Sequence, residues 1–327
     1  MWQLRVAASA ALICLLTCVV TAQDFGYGGR HGPEHWGEEY KRCSGKYQSP
    51  INIDEMSVVK KRFPEFNYYN WNRTPKSVRL TNNGHTVLVT MTYHQNKEPQ
   101  VLHGPLQTES PYQFEQFHFH WGENDTIGSE DTINNRAYPA ELHVVMRSLA
   151  YTNFSEALGK DHGIAVLAFF FKVTQADNPN YSDFTELLTS IKNKDQSVDM
   201  DIAKPLSNFV SKNLENYYTY VGSLTTPPCA EEVVWVDYEI PIEISENQLE
   251  YFRLLTASDD HLKNNFRPTQ PLNNRTVYKH DPFSLEKSDM GAVPFVNADN
   301  AAKNVVGLSL FTLLLLKGGL ALVVNLF

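Results

Sequence analysis

A chain of 327 residues, 42% hydrophobic and 20% charged, can bury a substantial core, and no break in composition divides its middle, so one large domain is expected. The formal net charge is −9; taking away Arg5 and Lys317, the only charges of two apolar end segments, moves it to −11. So acidic a remainder argues against nucleic acid or an anionic membrane surface as partner.

Residues 1–22 carry one early arginine, an apolar run through Ala10-Ala11-Leu12-Ile13-Cys14-Leu15-Leu16 and a small-residue exit at Val20-Thr21-Ala22, the pattern of a cleaved signal peptide. Cleavage removes Cys14 and Cys18 and leaves Cys43 and Cys229, which an oxidising compartment would join as a disulfide. Asn-x-Ser/Thr sequons at Asn72, Asn124, Asn153, Asn180 and Asn274 fit passage through the secretory pathway. The first is weakened by Pro75 just beyond it, and Asn274 is expected in a packed stretch, so Asn124, Asn153 and Asn180 are the stronger acceptors.

Short β runs follow. Val78-Arg79-Leu80 and Thr86 to Thr92 flank Thr81-Asn82-Asn83-Gly84-His85, an Asn-Gly turn signal that places His85 at a polar hairpin end. An imidazole there is expected to be solvated and to exchange protons near neutral pH.

The run Gln116-Phe117-His118-Phe119-His120-Trp121-Gly122 puts two imidazoles on one strand face and packs the aromatics behind. On its own His-x-His also fits hydrogen-bonded structural histidines. Ala140 to Met146 adds His143, and Gln116 and Glu141 each stand two residues before a histidine on the same face. Both are placed to accept the ring N–H that a metal does not use, fixing the tautomer. Three neutral nitrogens without a nearby cysteine pair suit zinc with an open fourth position.

Gly163 to Phe171 is nearly all apolar, as a strand covered on both faces would be. Helical patterns are few: 184–192, and 245–255 with Ser245 as N-cap. A large, mostly β structure with peripheral helices follows. Gly222 to Pro228 is a proline-stiffened loop with adjacent hydroxyls at Thr225 and Thr226. At the far end, small residues in a polar stalk at 286–304 precede an apolar run, 305–327, that stops without a basic tail. This is the layout of a GPI-attachment signal, implying a lipid anchor on the outer face of the plasma membrane; a single transmembrane helix is the alternative.

Phe117-His118-Phe119-His120-Trp121-Gly122, followed by Glu141-Leu142-His143, resembles the zinc core of the alpha-class carbonic anhydrases, and the likeness runs from about Tyr27 to Arg275. The resemblance implies a catalytic domain over 23–285 built on a large, mostly antiparallel twisted β-sheet with peripheral helices, a mixed α/β fold. It implies reversible hydration of carbon dioxide to bicarbonate and a proton by hydroxide on Zn2+ held by His118, His120 and His143. His85 would shuttle the proton, and Thr225 would accept from the hydroxide while donating to Glu130. Val145, Val166, Leu224 and Trp235 would line the carbon dioxide pocket beside Thr225 and Thr226. Tyr27, Asn83, Thr226 and Gln116 would order the water chain, and the Asn265 carbonyl would orient His120. Cys43 and Cys229 match the disulfide of secreted members. Leu88, Asp131 and Val221 depart from the pattern of the family; Leu88 stands where the fastest members have an asparagine, which removes one anchor for the ordered waters. The alternatives are a catalytically reduced binding module of the same fold, against which all three histidines argue, and a zinc esterase side activity.

Overall fold

The computed structural model describes residues 25–106, 109–257 and 262–284; the expected leader, stalk and apolar tail lie outside these. Two compact units divide the chain, 1–59 with 63–280 and 60–62 with 281–327. In the smaller, the Asp281 N–H donates to the Lys61 carbonyl at 3.0 Å and its carboxylate lies 3.8 Å from Lys60 Nζ.

Among the described residues the main sheet has twelve strands. Nine of them, all in the larger unit, are in chain order β1 (Ser77–Asn82), β2 (Val87–Thr92), β3 (Tyr112–Trp121), β4 (Ala140–Ser148), β5 (Ile164–Thr174), β6 (Ser197–Asp199), β7 (Tyr217–Ser223), β8 (Glu231–Ser245) and β9 (Tyr278–His280). Across the sheet they lie as β6-β1-β2-β3-β4-β5-β8-β7-β9. Every pairing is antiparallel except β5 with β8, so the mixed, mostly antiparallel sheet with few helices is the expected fold.

Period-two alternation sorts the side chains into two cores. Phe117, Phe119 and Trp121 of β3 pack on one face with Phe184 and Phe252, which are supplied by the helices Ser182–Leu187 and Glu246–Arg253. Val145, Val166, Ala168, Phe170 and Trp235 form the other core with Ile51 and Ile53. Both faces of β5 are therefore covered, and Ile164 through Phe171 are all buried, as its unbroken apolar run predicts. β1 and β2 form the expected hairpin: the Asn83 side-chain oxygen accepts the N–H groups of His85 and Thr86, and Gly84 takes the positive φ of 85°.

The helix expected over 184–192 begins two residues earlier and gives way to a 3-10 turn at Leu188–Ile191. There the Thr189 hydroxyl donates to the Glu186 carbonyl three residues back, a local bond that competes with the α pattern. Ser245 does cap the last helix, in a capping box with Gln248, but the helix stops at Arg253 rather than Leu255.

Cys43 and Cys229 form a disulfide with Cα atoms 4.8 Å apart, 186 positions apart in sequence. Closing so long a loop removes entropy from the unfolded chain worth about 5 kcal/mol in the chain-entropy view, an upper figure. Replacing both cysteines by serine should therefore lower unfolding stability by about 2–5 kcal/mol in a guanidinium titration, and a loss below about 1 kcal/mol would contradict the loop-closure account.

Candidate metal centre

The register of β3 against β4 sets His118 directly opposite His143 and His120 opposite Glu141. The ring centroids are 5.1 Å apart for His118–His120, 5.2 Å for His118–His143 and 4.5 Å for His120–His143. One nitrogen of each ring lies within 4.8 Å of the others, close enough to converge on a single ion.

The opposite nitrogens are already committed. His118 Nδ1 donates to Gln116 Oε1 at 3.0 Å, His120 Nδ1 to the Asn265 carbonyl at 2.7 Å and His143 Nε2 to Glu141 Oε1 at 2.8 Å. These bonds fix the tautomers and leave Nε2 of His118, Nε2 of His120 and Nδ1 of His143 with lone pairs. His120 Nε2 is buried without a hydrogen-bond partner. An orphaned buried acceptor is costly, and a cation beside it supplies the missing partner. Burial, and for His118 and His120 the neighbouring rings, hold all three well below the ordinary imidazole range, His143 at about 3, so the rings are neutral as ligands must be. The donor set, three imidazoles with no thiolate, fits zinc.

The surrounding acids are also buried. Glu141 Oε2 accepts the N–H groups of Glu130 and Asp131. Burial pushes Glu141 up to about 8, against the opposing pull of these two donors. Glu130 Oε1 accepts the Arg267 N–H at 2.8 Å, while Oε2 lies 3.4 Å from His120 Nε2 and 3.9 Å from His143 Nδ1. Burial raises the Glu130 carboxyl, and a hydrogen bond from Thr225 opposes that rise. The expected Thr225–Glu130 pair is thus brought together.

So is the apolar wall. Val166 on β5 registers with Val145 on β4 and Trp235 on β8, Leu224 packs against the same cluster, and the Trp235 ring meets His143 edge-on at 4.9 Å. Thr226 is half-buried, and its carbonyl accepts the Cys229 N–H at 2.9 Å, closing the loop that carries Thr225. Tyr27 is close enough to Glu130 for that charge, together with burial, to raise its phenol. Leu88 pairs opposite His118.

Two expectations change. His85 is not a freely solvated turn residue: it is half-buried, and its ring stacks on Phe25 with centroids 4.0 Å apart and planes 11° apart. The stretch around Asn274 is not packed: Asn274 is exposed, in a turn at φ 64°, and Asn72, Asn124 and Asn153 are exposed as well, whereas Asn180 is half-buried.

Phe25 and Arg267 gave no sequence signal. The Arg267 guanidinium donates to the carbonyls of Cys43 and Ser49 and to Gln48 Oε1, so it connects the disulfide region to Glu130. Asn265 does more than orient His120. Its side chain accepts the Trp121 N–H and donates to the carbonyls of Phe119 and His85.

A family model described as eukaryotic-type carbonic anhydrase matches residues 31–281. Carbonic anhydrase 7 of Homo sapiens is 38% identical over 262 residues, covering 77% of this chain and 96% of the relative. Carbonic anhydrase 3 of Homo sapiens is 34% identical over 264 residues, covering 78% and 98%.

Replacing His118, His120 or His143 by alanine should each remove most bound zinc, because the site has no spare nitrogen among the described residues. Glu141→Ala should keep the ligands yet weaken zinc about 10- to 100-fold in competition with a chromophoric chelator. Full zinc occupancy in any histidine variant, read by elemental analysis, would refute the ligand assignment.

Proposed function

The chain belongs to the eukaryotic-type carbonic anhydrase family and is a zinc-dependent carbonic anhydrase, and from this premise we propose which of its residues carry the interconversion of carbon dioxide and bicarbonate. The observation that carries the reading is the trio of neutral imidazoles whose outer nitrogens are pinned by Gln116, Asn265 and Glu141. Zinc, when bound, supplies a Lewis acid that makes water nucleophilic near neutral pH, an effect for which carbonic anhydrase is itself the type case.

Thr225 orients the nucleophile. Its hydroxyl proton is committed to Glu130, so only a lone pair remains to accept a hydrogen bond from the attacking oxygen, aiming another lone pair of that oxygen at the substrate. Carbon dioxide, small and without a dipole, is held by Val145, Val166, Leu224 and Trp235, which exclude competing water. The water oxygen forms the new C–O bond; one of its protons remains on bicarbonate and the other leaves.

His85 takes that proton to solvent. Tyr27, Asn83, Gln116 and Thr226 line the intervening water chain, while Leu88, an aliphatic side chain opposite His118, removes one anchor for it. The stack on Phe25 holds the shuttle ring at one position of its range.

We assign the mature protein to the outer face of the plasma membrane, held by a GPI lipid replacing the tail at 305–327. The disulfide and the exposed Asn72, Asn124, Asn153 and Asn274 sequons support a secretory route.

His85→Ala should lower the maximal hydration rate in dilute buffer and recover with added imidazole, whereas Thr225→Ala should slow hydration at every buffer concentration. A buffer-insensitive loss in His85→Ala would remove the shuttle assignment. On intact cells, phosphatidylinositol-specific phospholipase should release active enzyme; activity that stays in the pellet, with Phe327 found in the mature chain by mass spectrometry, would replace the lipid by a transmembrane helix.

A further inference from the structure

Behind the histidines lies a second group of acids that the hydration chemistry does not use in full. Asp131, Glu141 of β4 and Asp237 of β8 are all buried with no measurable exposure for any of them. One carboxylate oxygen of each lies within 4.8 Å of the others. Arg275 is near enough to Asp131 to favour its charged form, but among the described residues no lysine or arginine acts on Asp237.

The three are not equally satisfied. Glu141 accepts from the His143 ring and from two backbone N–H groups. Asp131 Oδ1 accepts the Ile51 N–H at 2.7 Å and the Tyr220 hydroxyl at 3.1 Å, leaving Oδ2 only a 3.5 Å contact with Tyr220. Asp237 stands apart: both of its oxygens are buried and neither has a hydrogen-bond partner. A fully buried carboxylate with two orphaned oxygens, set among two other carboxylates, lacks a positive ligand.

We propose that Asp131, Glu141 and Asp237 form a second metal site, for calcium, separate from the zinc site. A single proton shared between Asp131 and Asp237 would engage one orphaned oxygen and leave the other; a divalent cation engages both and offsets the clustered charge. The donor set is all oxygen, which selects a hard cation and disfavours zinc. Three carboxylates converging without octahedral symmetry suit calcium, which accepts irregular geometry and completes its shell of six to eight oxygens with water, better than magnesium, which demands a near-ideal octahedron. Glu141 borders both sites, holding His143 through Oε1 while its remaining lone pair stays available to calcium.

The test uses the zinc-loaded protein, equilibrated with about 1 mM calcium chloride at fixed ionic strength and gel-filtered before elemental analysis. One zinc and one calcium per chain are expected, with a rise of about 5 °C in the thermal midpoint that magnesium and sodium do not reproduce. Asp237→Asn should retain zinc and lose both the calcium and the rise; Asp131→Asn provides the same comparison if that variant does not fold. Zinc alone in the wild-type protein overturns the site and leaves the carboxylates sharing protons. Calcium that persists unchanged in a folded Asp237→Asn or Asp131→Asn chain overturns it too, as does an equal response to magnesium.

Discussion

A β-strand offers only every second side chain to a given face, and β3 has both faces fully assigned. Phe117, Phe119 and Trp121 are locked into a dense aromatic core on one side, so His118 and His120 have no choice of side. A one-residue slip would bury imidazoles among phenylalanines and turn phenylalanines toward the metal. The catalytic geometry is therefore held by packing on the face that takes no part in chemistry. The helices Ser182–Leu187 and Glu246–Arg253 contribute to the site through Phe184 and Phe252, which reinforce that register from a distance.

Orientation of the rings is a separate matter, governed by three acceptors at two very different chain distances. Gln116 and Glu141 are two residues from their histidines; Asn265 is 145 positions from His120. The nearby pair follows from strand periodicity, and the distant one requires the whole domain to close. Arg267, two residues after Asn265, binds the Cys43 and Ser49 carbonyls and presents its backbone N–H to Glu130, so the covalent crosslink and the acid share one anchor. Removing water from this shell strengthens each hydrogen bond and makes each unpaired group more costly, which is why its orphaned atoms carry information.

What the sequence revealed follows the same division. The three histidines, Gln116, Glu141, the hairpin at Asn83-Gly84 and the buried run of β5 are short-range patterns, and they appear in the structure as read. Thr225, Glu130 and Asn265 carry no local signature; only resemblance singled them out, because their partners come from separate segments. Phe25 and Asp237 were missed for the same reason, and Asp237 sits within an apolar run, Val233-Val234-Trp235-Val236, that reads simply as core. Expecting Asn274 to be packed failed because the chain there turns through two residues in the left-handed conformation, Asn273 and Asn274, and leaves Asn274 exposed. Tertiary contact, not propensity, decides such positions.

Asn265 touches both the metal wall and the hairpin that bears His85. Its side chain is bonded to the carbonyls of Phe119 and His85 at 3.1 and 2.9 Å, while its own carbonyl holds His120. The backbone of the hairpin end is thereby strapped to the rigid sheet, and segmental drift of that end is suppressed. Rotation about the χ angles of His85 then becomes the principal freedom, on the picosecond-to-nanosecond scale of partly exposed side chains rather than the slower scale of loop rearrangement. A single amide thus separates a fast local motion from a slow collective one, and the span between ring and metal varies only as far as one side chain can swing.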